Sequence, residues 1–95
     1  MSDSIHVSEV RLVRASVADE QRGLIGWVSL KIGQLLLDGI AVRRTRDGRL
    51  VLSFPERRDL DGRRHPIIRP SDDEARRALE REILFAIGLG EGGTA

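Results

Sequence analysis

Through its first two-thirds the chain alternates apolar and polar residues with a period of two, and turn residues divide the runs. Between Ile5 and Ala15, Val10 and Leu12 fall on one side and Arg11 and Val13 on the other, the signature of a strand with one buried face. Ile5 and Val7 are out of phase with Val10 and Leu12, which predicts a bulge or a late strand start near Ser8. Residues 16–22 read as a polar loop. In the next strand Leu24, Val28, Leu30 and Ile32 share one side, against Ile25, Trp27, Ser29 and Lys31. Gly33-Gln34 predicts a tight turn into a third strand over Leu35–Val42, and Asp47-Gly48 a second hairpin turn. Leu50–Phe54 reads as a fourth strand and Arg63–Ile68 as a short fifth.

After Pro70 the period changes to 3.6. Ser71 with Glu74 three residues on is a capping-box pattern, and Asp72, Asp73 and Glu74 set negative charge against the positive end of a helix. Ala75, Ala78, Leu79, Ile83, Ala86 and Ile87 then recur at the spacing of an amphipathic helix, with Glu82 at the centre of the stripe. Gly88 and Gly90 stop it. The fold class is therefore α+β: four to five antiparallel strands followed by one C-terminal amphipathic helix. Residues 1–88 form the single expected domain and 89–95 a flexible tail. One helix covers one face of a sheet, yet the second strand is apolar on both. A second copy of the chain is the simplest cover for what remains. A homodimer is expected, with Ile25, Trp27, Leu84 and Phe85 at its interface; for Trp27 the competing reading is local packing beneath the 16–22 loop.

Composition narrows the function classes. Ninety-five residues make one small domain, and 40% apolar content can fill its core. The absence of cysteine removes disulfide frameworks and thiolate chemistry. No apolar run approaches the roughly 18–20 residues of a membrane span, and the first residues lack a signal-peptide pattern, so a cytoplasmic location is expected. His6 and His65 have no metal-ligand spacing, and Gly88-Leu89-Gly90-Glu91-Gly92-Gly93 follows a helix where a phosphate loop would precede one. No catalytic residue, metal, cofactor, small-molecule substrate or membrane contact is expected.

Charge gives the sharper signal. A net charge of +1 conceals a basic middle: residues 43–69 carry nine arginines against four acids. Arg57/Arg58 and Arg63/Arg64 flank the turn Asp59-Leu60-Asp61-Gly62, with Arg43, Arg44, Arg46 and Arg49 close in sequence and Arg76, Arg77 and Arg81 on the helix. Arginine's planar fork suits phosphate oxygens, so these eleven positions are the candidate DNA- or RNA-binding residues. Aromatic residues are few (Trp27, Phe54 and Phe85), which favours backbone contact over base stacking.

The ordered motifs add a resemblance. Val7-Ser8-Glu9-Val10-Arg11-Leu12, then Gly48-Arg49-Leu50-Val51-Leu52-Ser53-Phe54-Pro55 with Arg57-Arg58, then Gly62 and His65-Pro66-Ile67 ahead of the helix, resemble the stage V sporulation protein G (septation regulator) family over Ile5 to Ile87. The resemblance implies a small homodimeric bacterial regulator that binds DNA and RNA and has links to septation. It maps the family's basic segment to Pro55-Glu56-Arg57-Arg58 and its helix basics to Arg76, Arg77 and Arg81. Here Glu56 stands where the family usually has serine, and Arg63-Arg64 replace apolar positions before the His-Pro. The alternative expectation is a protein-interaction adaptor in septation that makes no direct contact with nucleic acid.

Overall fold

The structure is a computed structural model and describes residues 7–89. Ile5, His6, Gly90 and most of the expected tail lie outside the described residues. The elements run β1 (Val7–Arg14), α1 (Val17–Gln21), β2 (Leu24–Ile32), β3 (Leu35–Arg44), β4 (Leu50–Ser53), β5 (Glu56–Arg58), β6 (Arg64–Pro66) and α2 (Asp73–Ala86). Strands β1 to β4 form an antiparallel sheet in sequence order, and β5 pairs with β6 as a separate two-stranded ribbon. The architecture is the α+β arrangement expected, but the fifth strand joins a new partner, Glu56–Arg58, instead of extending the sheet. Pro55, which has no amide hydrogen, follows β4 and separates the two pairings.

Three register shifts decide which residues reach the core; in one, between Val28 and Leu30, β3 carries one residue more than β2, and both Ile40 and Leu37 reach the core. The expected bulge lies between Ser8 and Arg11 on β1, where Glu9 takes a positive φ of 50° and the phases of Val7 and Val10 are reconciled. A second bulge sits in β2. Leu24 pairs with Arg43 and Gly26 with Val42, so Ile25 is the extra residue. It turns inward and is only 1% exposed, joining Val28 and Leu30 in the core. The reading of β2 is corrected accordingly: Ile25 belongs to the covered face, and Leu24, which stands across from Arg43, shares the other face with Trp27 instead of joining Val28 and Leu30. Gly26 is required where β1 and β2 approach closely, because a Cβ there would stand 2.4 Å from the Val13 carbonyl oxygen.

The core lies between one sheet face and α2. Val28, Leu30, Ile40, Val42 and Leu52 meet Leu79, Ile83 and Leu84. A fully buried isoleucine such as Ile83 contributes about 1.5–3 kcal/mol by leaving water. Leu84 is therefore a core residue and not a free interface residue, while Phe85 beside it is 60% exposed. The buried stripe centres nearer Ile83 and Ile87 than the sequence pattern suggested; Ala78 and Ala86 are exposed, and Glu82 sits half-buried at its flank. The helix starts one residue later than expected. Asp72, not Ser71, is the N-cap, its Oδ1 accepting the Ala75 amide at 2.7 Å. Its end is a Schellman arrangement: the Leu89 amide donates to the Leu84 carbonyl and the Gly88 amide to that of Phe85, with Gly88 at φ 83°. Residues 16–22 are not simply a loop either. Ser16 caps the short α1 by accepting the Asp19 amide at 3.1 Å.

The edge strand β4 is closed by α2. The Leu52 amide donates to Glu80 Oε2 at 3.2 Å, and the Leu52 carbonyl accepts from Arg76 Nη1 at 3.3 Å. These two helix residues also pair with each other at 3.8 Å across one turn. Glu80→Ala would leave the Leu52 amide without its acceptor, at a cost of about 1–2 kcal/mol. Chemical denaturation is expected to show that loss, and Glu80→Gln, which keeps an acceptor oxygen, is expected to recover most of it.

Candidate nucleic-acid interface

The ribbon β5–β6 is short and polar, so its order has to come from its turn. Asp59 supplies it. Its Oδ1 accepts the amides of Asp61 and Arg63, each at 2.9 Å, and its Oδ2 lies 2.7 Å from His65 Nε2. Gly62, at φ 81°, takes the left-handed position that closes the turn. The hydrogen bond from His65, followed by that from the Arg63 amide, holds the Asp59 carboxyl below its ordinary value, against a smaller opposing effect of burial. At the ribbon's base the Ile67 amide donates to the Pro55 carbonyl at 3.1 Å. His65 is thus a turn-fixing residue.

Between this ribbon, the end of β4 and the first turn of α2 lies an open groove of about 1090 Å³. Arg43, Arg57, Arg58, Arg64, Arg69 and Arg76 line it, against a single carboxylate, Glu56. Six cations and one anion give the lining a formal charge of +5. Its floor is apolar, made in part by Ala41, Phe54 and Pro55. Among the described residues, Arg76 alone of the six has a carboxylate partner. Arg58 also stands directly across from Arg64 in the ribbon, and opposed like charges destabilise a strand pair. A three-residue ribbon has little stability to spare for such a pair. The arrangement is unfavourable by itself and favourable around an anion.

Five of the eleven candidate residues, Arg43, Arg57, Arg58, Arg64 and Arg76, come together in this groove. The others do not line it. Arg44 ends β3, and Arg46 and Arg49 lie at the β3–β4 turn, where Arg49 Nε pairs with Asp47 at 3.4 Å. Thr45 and Asp47 are joined by a short side-chain hydrogen bond, which with Arg49 holds the Asp47 carboxyl below its ordinary value. Arg63 is in the turn of the ribbon, and Arg77 and Arg81 are exposed on α2 away from the groove. Arg69 is the groove residue outside the eleven; its signal was membership of the basic block, just before Pro70. The four expected interface residues do not form one surface. Ile25 and Leu84 are in the core, and Trp27 and Phe85 are exposed on different elements, β2 and α2.

Compared with known proteins, the chain matches no family model, no curated protein and no solved structure. Among the described residues no helix is long and apolar enough to cross a membrane.

The lowered Asp59 value has a sign that can be checked. A depressed carboxyl contributes stability that is complete above its ordinary value of 3.8 and is lost as the pH falls through the lowered one. Amide exchange of Asp61 and Arg63 is expected to accelerate selectively, relative to Ile83, as the pH drops below about 4 after correction for intrinsic exchange. Asp59→Asn is expected to remove that pH dependence.

Proposed function

We propose that this chain is a cytoplasmic nucleic-acid-binding regulator that engages phosphates through the arginine groove. One observation carries the reading: five arginines without a carboxylate partner among the described residues converge on one open groove, two of them opposed across a ribbon. Groups of like charge held together without compensation are stabilised by a polyanion, and the guanidinium fork bonds phosphate oxygens in pairs. The resemblance to the stage V sporulation protein G family supports the same reading, with a role in gene expression or septation. It also implies a homodimer. With Ile25 and Leu84 in the core, we assign the second copy to the exposed Phe85 on α2.

Phosphate binding of this kind weakens with salt in proportion to the phosphates neutralised. Five such contacts give a log–log slope of about −3.5 on single strands and −4.5 on duplex. Arg57→Ala with Arg58→Ala is expected to lower affinity and reduce that slope by about 1.5, whereas Arg77→Ala with Arg81→Ala leaves both unchanged. Absence of binding to DNA and RNA at about 50 mM salt would sink the reading, since phosphate contacts are strongest there. The dimer is tested separately: light scattering at tens of micromolar is expected to give twice the chain mass of 10.6 kDa, and Phe85→Asp half of that. A monomeric wild-type mass removes the dimer and leaves the groove standing.

A further inference from the structure

The arginine groove continues beyond the ribbon. Ala41 and Ser53 form part of its floor, and the sheet register carries that floor sideways across the molecule. Ser53 stands across from Ala41, Ala41 across from Trp27, and Trp27 across from Val13. Residues directly opposed in antiparallel strands point to the same face, with Cβ atoms about 4.5–5.5 Å apart. The four side chains therefore make one row, from the groove to the outer strand, on the face that α2 does not cover. Trp27 is 40% exposed and Val13 65%. Trp27 is the direct cross-strand neighbour of Ala41, whose methyl group belongs to the groove floor.

We propose that Trp27 is a stacking platform for a base of an unpaired nucleic-acid strand whose phosphates lie in the arginine groove. The inference rests on the phosphate-binding reading above and names its ligand class. An indole lying one strand spacing, about 4.8 Å, from the groove floor is within reach of a base whose phosphate is held there. A base in a duplex has both faces occupied by its neighbours, so a flat aromatic surface beside a phosphate groove is useful only to a strand whose bases are free. Stacking tolerates any base because every base has a π face, and the groove reads only backbone, so the site selects strandedness and not sequence. The aromatic count in the sequence argued against stacking; one aromatic in the right row is enough for one base.

The chain contains a single tryptophan and no tyrosine, so its intrinsic emission reports on this residue alone. The test titrates the full chain with end-labelled strands of about twelve nucleotides: oligo-dT, oligo-rU, a mixed duplex and an abasic deoxyribose-phosphate strand. Label anisotropy reads binding and indole emission reads stacking. Both single strands are expected to bind and quench, and the one that does so at lower concentration identifies the preferred sugar. The abasic strand and the duplex are expected to bind without quenching. Trp27→Ala is expected to weaken single-strand binding roughly 5- to 150-fold while leaving abasic binding within about twofold. Trp27→Phe, which keeps a ring and the fold, retains most of the affinity. Tight single-strand binding with unchanged emission overturns the stacking role and leaves the phosphate groove intact. Equal quenching by duplex overturns the preference for an unpaired strand. No anisotropy change with any probe overturns the groove itself, and this inference with it.

Discussion

Leu52 is where the two halves of this molecule are joined. It lies on the edge strand of the sheet, and an edge strand presents amide and carbonyl groups that water or another chain would otherwise take. Glu80 and Arg76, one turn apart on α2, take them instead. Two bonds of opposite polarity to one residue fix both the rotation of the helix about its axis and its position along the strand. Leu79, Ile83 and Leu84 then have only one way to meet the sheet. The same contact reaches the candidate site. Arg76 lines the groove, and a guanidinium with five N–H donors has capacity left after serving Leu52 and Glu80. Core packing and the candidate groove thus share Arg76.

What was legible in the sequence was local. The hairpin turns at Gly33-Gln34 and Asp47-Gly48, the phase break near Ser8 and the helical stripe are each set by residues close together in the chain. The errors came from long-range choices. Parity along β2 grouped Ile25 with Trp27; the bulge that separates them exists only in the pairing with β3. Ser71 and Asp72 are both competent caps, and it is Asp72 whose carboxylate accepts the Ala75 amide. Strand β5, Glu-Arg-Arg, carries no apolar alternation at all, so its pairing is imposed by the Asp59 turn and not by burial. In the candidate site, the paired arginines around the turn could be read from spacing. Arg63 differs from its neighbour Arg64 because it belongs to the turn, and Arg69 joins the groove because the chain doubles back after β6.

The ribbon is built from opposing demands. Arg58 facing Arg64 works against pairing, while Asp59 with its three hydrogen-bond donors works for it. An anion between the arginines removes the first term without touching the second. Under the phosphate-binding reading, order in the ribbon and occupancy of the groove are therefore linked. A ligand at a hundred times its dissociation constant would stabilise the ordered form by about 2.7 kcal/mol. A hairpin of three residues per strand is the element on which such an increment has a visible effect, because it has no core of its own.

The bulge at Ile25 has a consequence on the opposite face of the sheet. Were Ile25 in phase with Trp27, the face away from α2 would carry a contiguous isoleucine and tryptophan beside Val13, an apolar patch suited to self-association. With Ile25 turned inward, the register leaves Trp27 and Val13 bordered by Arg11, Ser29 and Arg43, with Leu24 and Val51 on either side of Arg43 and Leu36 nearer the β2–β3 turn. One extra residue in one strand therefore does two things: it completes the core, and it takes an isoleucine off the uncovered face beside Trp27.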